Sequence, residues 1–138
     1  MGLIVDSSVL IAAERGTLRL VAFLDTVPTE STAMAAITAS ELLHGYHRAS
    51  DGGVRARRGA FVEALLELIP VLPFGLPEAR RHAELWADLM RQGTIIGPHD
   101  MLIAATALAH GHTLATLNER EFARVRGLRL APLTPFLA

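Results

Sequence analysis

The sequence of 138 residues carries 13 basic and 14 acidic side chains, no cysteine and a formal net charge of −1. Such a length suits one domain around one hydrophobic core, the missing cysteine excludes disulfides and thiolate metal sites, and the near-neutral balance argues against a general nucleic-acid-binding protein, though not against a nuclease with an acidic pocket. Every basic residue is arginine, so a Walker-type phosphate loop and Schiff-base chemistry, which need lysine, are excluded as well.

Leu3-Ile4-Val5 reads as a buried parallel strand, and Asp6-Ser7-Ser8 after it is a helix-capping cluster. A helix is expected over residues 9–15, stopped near Gly16, and a second over 17–27, ended by Pro28. Residues 33–37 form a second apolar run of strand length. Thr38-Ala39-Ser40-Glu41 then has capping-box spacing, which places Glu41 in the first turn of the next helix. Residues 50–53 form a loop, and 54–68 a helix with Phe61, Leu65 and Leu68 on one face. Residues 69–74 read as a third strand, which Pro70 and Pro73 confine to a sheet edge.

Pro77 starts a helix that runs through Arg91 and is closed by Gly93. Pro98 suits the first turn of the next helix, and Gly111 its left-handed stop. Between them Met101, Leu102, Ile103, Ala104, Ala105, Ala107, Leu108 and Ala109 leave almost no polar face, so this helix is expected to be buried. Its one acid, Asp100, lies in the first turn. Residues 113–117 form a fourth strand closed by Asn118, and residues 128–130 a last one before Pro132. The alternation predicts a single α/β domain over residues 1–138, with a mostly parallel sheet flanked by helices.

Hydrophobic residues make up 51% of the chain and mean hydropathy is +0.34, which predicts apolar surface covered by a partner or a second copy. The N-terminal residues lack a basic region ahead of an apolar one. The uncharged run 101–117 is short for a bilayer and is broken by His110-Gly111-His112. No membrane segment and a cytoplasmic setting are expected.

In a parallel sheet the carboxyl ends of the strands and the starts of the following helices share one edge, where ligands bind. Asp6, Glu41, Asp100 and Asn118 all fall on that edge. Each has a bland role alone: Asp6 as a helix cap, Glu41 as a capping-box partner, Asp100 as a dipole-stabilising acid, Asn118 as a turn residue. Together, three carboxylates would raise one another's pKa unless a cation neutralised them. Mg²⁺ or Mn²⁺ fits such oxygen ligands, and a phosphodiester fits the coordination positions left open.

Leu3-Ile4-Val5-Asp6-Ser7-Ser8, Ser40-Glu41-Leu42, Asp100-Met101-Leu102-Ile103-Ala104-Ala105 and Thr116-Leu117-Asn118-Glu119-Arg120-Glu121-Phe122 resemble, in order and spacing, a PIN domain. More narrowly they resemble the VapC toxins of bacterial type II toxin–antitoxin pairs. The resemblance implies a PIN-like fold with strand order 3-2-1-4-5. It also implies a Mg²⁺- or Mn²⁺-dependent endoribonuclease that leaves a 5′-phosphate and a 3′-hydroxyl. Its partners would be RNA, a small VapB-like antitoxin whose C-terminal segment enters the active-site groove, and a second copy in a homodimer. By position, Asp6, Glu41 and Asp100 would bind the metal, and Ser8 would support the first acid or a metal-bound water. The chain departs from the family at Asn118, where many PIN domains carry Asp; an amide can ligate or orient water but adds no charge, and Glu119 is a lesser substitute.

Among the arginines, Arg55, Arg57 and Arg58 form the densest cluster, and Arg48 follows Glu41 by two helical turns. These are the RNA-facing candidates, through phosphate contacts that position without reading sequence. Arg120, Arg124, Arg126 and Arg129 form a second basic region near Asn118. His44 and His47 are expected at the surface or an interface, and His99, beside Asp100, is a candidate for proton transfer. The alternative reading is a catalytically weak PIN-like protein that acts by binding RNA or an antitoxin. A phosphatase or receiver domain is disfavoured by the absence of lysine and by Ser8 where the phosphatase motif wants Asp.

Overall fold

A computed structural model describes residues 2–28 and 31–138. Along the chain run β1 (Leu3–Val5), α1 (Ser7–Glu14), α2 (Leu20–Leu24), β2 (Thr32–Ala35), α3 (Ala36–His47), α4 (Gly52–Leu68), β3 (Val71–Leu72), α5 (Leu76–Gln92), α6 (Pro98–His110), β4 (Thr113–Ala115) and α7 (Glu119–Phe122). The strands form one sheet in the order β3-β2-β1-β4, with each adjacent pair parallel. Leu3 pairs with both Thr32 and Thr113, so β1 is the centre of the register.

Side chains on a strand alternate between faces, and β1 feeds two apolar layers. Leu3 and Val5 pack with Leu10 of α1, Leu42 of α3 and Leu65 of α4. Ile4 packs on the other side with Leu89 of α5, Ile103 and Ala104 of α6, and Phe122 of α7. The sheet is thus covered on both faces, which parallel strands require. It also explains why every residue of β1 and β2 is buried.

The proline-bearing third strand lies at the sheet edge, as expected, but shrinks to Val71–Leu72. Gly93 and Gly111 end α5 and α6 with φ of 67° and 65°, the left-handed conformation that glycine adopts without a Cβ penalty. Residues 103–107 of α6 are all buried.

Other boundaries shift. The second strand ends at Ala35 and α3 begins at Ala36, with Ala35 as its N-cap. Thr38 is therefore a fully buried helical residue rather than the start of a capping box, and Glu41 lies in the second turn of α3 rather than the first. A strand buried on both faces and the apolar start of a helix look alike by periodicity, so the join is not marked. The helix expected over 17–27 is confined to Leu20–Leu24, because Leu18 is drawn into an antiparallel bridge with Leu137. The fourth strand stops at Ala115 rather than Leu117. The fifth strand is reduced to one parallel bridge, Leu114 to Leu130. It keeps its place beside β4, but Pro132 cannot donate to a longer ladder.

Among the described residues, no helix is long and apolar enough to cross a membrane. Ile103 is fully buried between α6 and the sheet. Replacing it with Ala should cost about 2–5 kcal/mol, seen as a lowered urea midpoint with an unchanged slope.

Candidate active site

The carboxyl edge of the sheet gathers its acids from separate elements. Asp6 follows β1 as the N-cap residue of α1 and is 4% exposed. Its Oδ2 accepts hydrogen bonds from Ser8 Oγ and Thr116 Oγ1, each at 2.7 Å. Leu117 N donates to Ser8 Oγ at 3.0 Å and Asn118 N to Thr116 Oγ1 at 3.0 Å. The two hydroxyls that fix Asp6 are thus themselves fixed by the chain leaving β4. Both bonds fall on one oxygen of Asp6, so neither uses the other.

Glu41 reaches the same rim from α3. Its Oε1 accepts from Ser7 Oγ at 3.2 Å, and His99 Nδ1 lies 3.4 Å from its Oε2. Asp100 stands in the first turn of α6, where the helix dipole favours negative charge.

Asn118 does not close the fourth strand. It lies beyond β4 as the N-cap residue of α7, and its Nδ2 donates to Asp100 Oδ2 at 3.3 Å and to Glu121 Oε2 at 2.8 Å. Glu121, which sequence reasoning left out of the candidate set, is the further acid beside Asp100. Its Oε1 accepts from Gly97 N at 2.6 Å, tying α7 to the start of α6. Glu119 is exposed on the first position of α7. Thr116, fully buried at the end of the β4 segment, was also left out.

The electrostatics follow from this crowding. Burial, then the charges of Glu121, Asp6 and Glu41, push the Asp100 carboxyl from an ordinary 3.8 up to about 7. Glu121 is held below the usual range, first by the Gly97 N–H and then by the Asn118 amide. The donor set is all oxygen, and the mutual repulsion calls for a cation, so the residues fit a hard divalent ion. Among the described residues, no three His, Asp or Glu side chains are gathered closely enough to enclose an ion unaided. Protein oxygens would fill only part of its shell, the usual condition of Mg²⁺.

The PIN-domain family model matches residues 3–128 of the chain. The chain is 41% identical to Ribonuclease VapC1 of Rickettsia felis over 130 residues, which span 94% of this chain and 95% of that protein. The chain belongs to the PIN-domain family, among its VapC ribonucleases. This PIN domain is also 34% identical, over 96 residues and 70% of each chain, to the tRNA(fMet)-specific endonuclease VapC of Shigella flexneri. Its fold superposes on the crystal structure of DNA-bound VapBC from Salmonella typhimurium with a TM-score of 0.86, 26% identity and coverage of 95% of this chain and 97% of that one.

The structure sorts the PIN domain's arginines. Arg48 and Arg58 line a groove of about 600 Å³ that begins at Ser7, Glu41 and His99. Arg58 is engaged within it, 3.6 Å from Glu14 and bonded to Gly45 O. Arg55 lies over the Tyr46 ring, 5.3 Å from its centre, and neither it nor Arg57 lines the groove. In the second basic region Arg124 holds Ile95 O at 2.9 Å, Arg126 lies 3.8 Å from Asp88, and Arg129 bonds Gly111 O. Those three are tied to the scaffold.

Because the folded-state pKa of Asp100 is raised, the folded protein holds a proton that the unfolded chain has released. The stability this contributes is fully present below about pH 4 and is lost as pH rises through about 7. In EDTA, Asp100→Asn should therefore raise the thermal midpoint relative to wild type more at about pH 8 than near pH 5. An effect that does not change with pH would place Asp100 outside the cluster.

Proposed function

We propose that this protein is the toxin of a type II toxin–antitoxin pair, an endoribonuclease that uses Mg²⁺ or Mn²⁺ to hydrolyse RNA phosphodiester bonds. The observation that carries the reading is the convergence of Asp6, Glu41, Asp100 and Glu121 on one edge of a PIN fold, where burial first and then the neighbouring charges push Asp100 toward its protonated form. The comparisons support a toxin endoribonuclease: the curated relatives are VapC ribonucleases, two of them tRNA(fMet)-specific endonucleases. VapBC complexes share its fold, which supports a VapB-like antitoxin as its partner.

Asp6, Glu41 and Asp100 would hold the metal, with Glu121 as the charge that Asn118 does not supply. A bound divalent ion would polarise the scissile phosphoryl oxygen and lower the pKa of an attacking water. The chain's own groups then have distinct tasks. Ser8 and Thr116 orient Asp6 through their bonds to its Oδ2. Ser7 and His99 hold the two oxygens of Glu41. Asn118 keeps Asp100 and Glu121 side by side by donating to both. That is a positioning role, distinct from the ligation or water orientation open to an amide at position 118. His99 borders both the acids and the groove, which suits a group that orients RNA or passes a proton.

We also propose a homodimer in the cytoplasm. The apolar surplus is partly on show: Trp86 and Met90, four apart on α5, are 53% and 71% exposed, and Ile95 is 85% exposed.

The test is incubation of antitoxin-free protein with total RNA and Mn²⁺. Defined cuts should appear, vanish with EDTA, and fall below detection in Asp6→Asn and Asp100→Asn. Thr116→Val, which removes a support and not a ligand, should cost roughly 10–100-fold in activity or metal affinity with the circular dichroism spectrum unchanged. Cleavage that survives EDTA and the loss of Asp6 would overturn the mechanism. Metal-free binding of RNA without cleavage would return the protein to a binding role.

A further inference from the structure

Beside the acidic rim a groove of about 600 Å³ runs between α1, α3 and α4. Ser7, Glu41 and His99 line it beside the acids, and Arg15, Arg48 and Arg58 line it as well. Arg15 and Arg48 share a common origin in the fold. The N-cap residue of α1 is the site acid Asp6 and its C-cap residue is Arg15. In α3 the acid is Glu41 and the C-cap residue is Arg48. Each of these helices therefore carries a carboxylate toward the rim and a guanidinium at its far end. From Glu41 to Arg48 the axial rise is about 10 Å.

A cation at a helix C-terminus is favourable for the dipole alone, and that accounts for the charge of Arg15 and Arg48. It does not account for both lining one groove that opens onto the acids. Among the described residues, neither is paired with a neighbouring carboxylate or carbonyl. Glu14, the acid in the inner wall, is matched by Arg58 at 3.6 Å, and Arg58 also donates to Gly45 O. Arg15 and Arg48 are both exposed, and the positive charge left in this part of the groove is theirs.

We infer that Arg15 and Arg48 form a phosphate-binding subsite for single-stranded RNA, holding the backbone next to the phosphate that is cut. The inference rests on the ribonuclease reading above and adds the path of the substrate: one strand enters at the acids and runs along the groove toward the C-terminal ends of α1 and α3. Phosphate contacts of this kind set register and affinity without reading bases. Ile11, Leu42 and Phe61 in the same groove give the strand's sugars and bases an apolar wall. Among the candidate arginines, Arg58 is a fixed part of the wall, and Arg55 and Arg57 lie off the path.

The test compares wild-type protein with Arg15→Gln/Arg48→Gln and with Arg80→Gln/Arg91→Gln, which removes the same charge from exposed positions of α5. Binding of a fluorescein-labelled single-stranded RNA is followed by anisotropy in EDTA, between about 50 and 200 mM salt. The groove variant should bind roughly tenfold more weakly and lose about 1–1.5 from the slope of log affinity against log salt; the α5 variant should keep the slope. Arg15→Lys/Arg48→Lys, which retains charge, should restore most of it and guards against a folding defect. With Mn²⁺ present, the groove variant should raise KM and leave kcat nearly unchanged. Equal slopes for the groove and α5 variants would overturn the subsite and leave the two arginines to a protein partner. Salt-sensitive binding in the groove with no cleavage by wild-type protein would overturn the nuclease reading and keep the subsite.

Discussion

Repulsion among Asp6, Glu41, Asp100 and Glu121 is the constraint around which the rest of the structure is arranged. Four carboxylates on one rim oppose folding unless protons, hydrogen bonds or a cation offset their charge. The fold supplies the first two locally. Asp6 is bonded by two hydroxyls, Glu121 by a backbone N–H and an amide, and Asp100 is pushed up to about 7, by burial first and then by the neighbouring charges. A carboxyl pushed this far from its ordinary pKa, at the edge where the acids gather, marks a candidate functional group.

The scaffold's own requirements bring the acids there. A parallel sheet needs both faces covered, so its connections run through helices, and every such helix starts or ends at the carboxyl edge. Asp6 and Asp100 sit where helix starts favour negative charge. Glu41, in the second turn of α3, has no such benefit and is instead held by Ser7 and His99. Helices α1 and α3 carry Arg15 and Arg48 at their C-terminal ends, away from the acids, so one geometry separates the acidic rim from the proposed phosphate subsite.

Much of this was legible in the sequence, and what was not has a physical cause. Pro98, Asp100 and Gly111 mark α6 because they act locally, on a first turn and a left-handed stop. The edge position of β3 was legible from its prolines. The start of α3 was not, since a buried strand that runs straight into an apolar helix start leaves no change of period at the join. Glu121 left a partial signal: Asn118 and Glu121 have the N-cap and N3 spacing of a capping box. Its decisive partner, Gly97 N, is 24 residues away, beyond any local pattern. Thr116 is a lone hydroxyl in an apolar run, and only its bond to Asp6 gives it meaning. Density in sequence is not convergence in space for the arginines at 55–58: Arg58 lines the groove beside Glu14, while Arg55 lies over Tyr46.

If a divalent cation completes the acidic rim, calorimetric titration of the wild-type protein with Mn²⁺ will show it. Saturable binding should tighten as pH rises through about 7, because Asp100 must give up its proton to accept the ion. It should be lost in Asp6→Asn and in Asp100→Asn. No binding heat at pH above 7 with or without RNA, or an affinity indifferent to both substitutions, would contradict it.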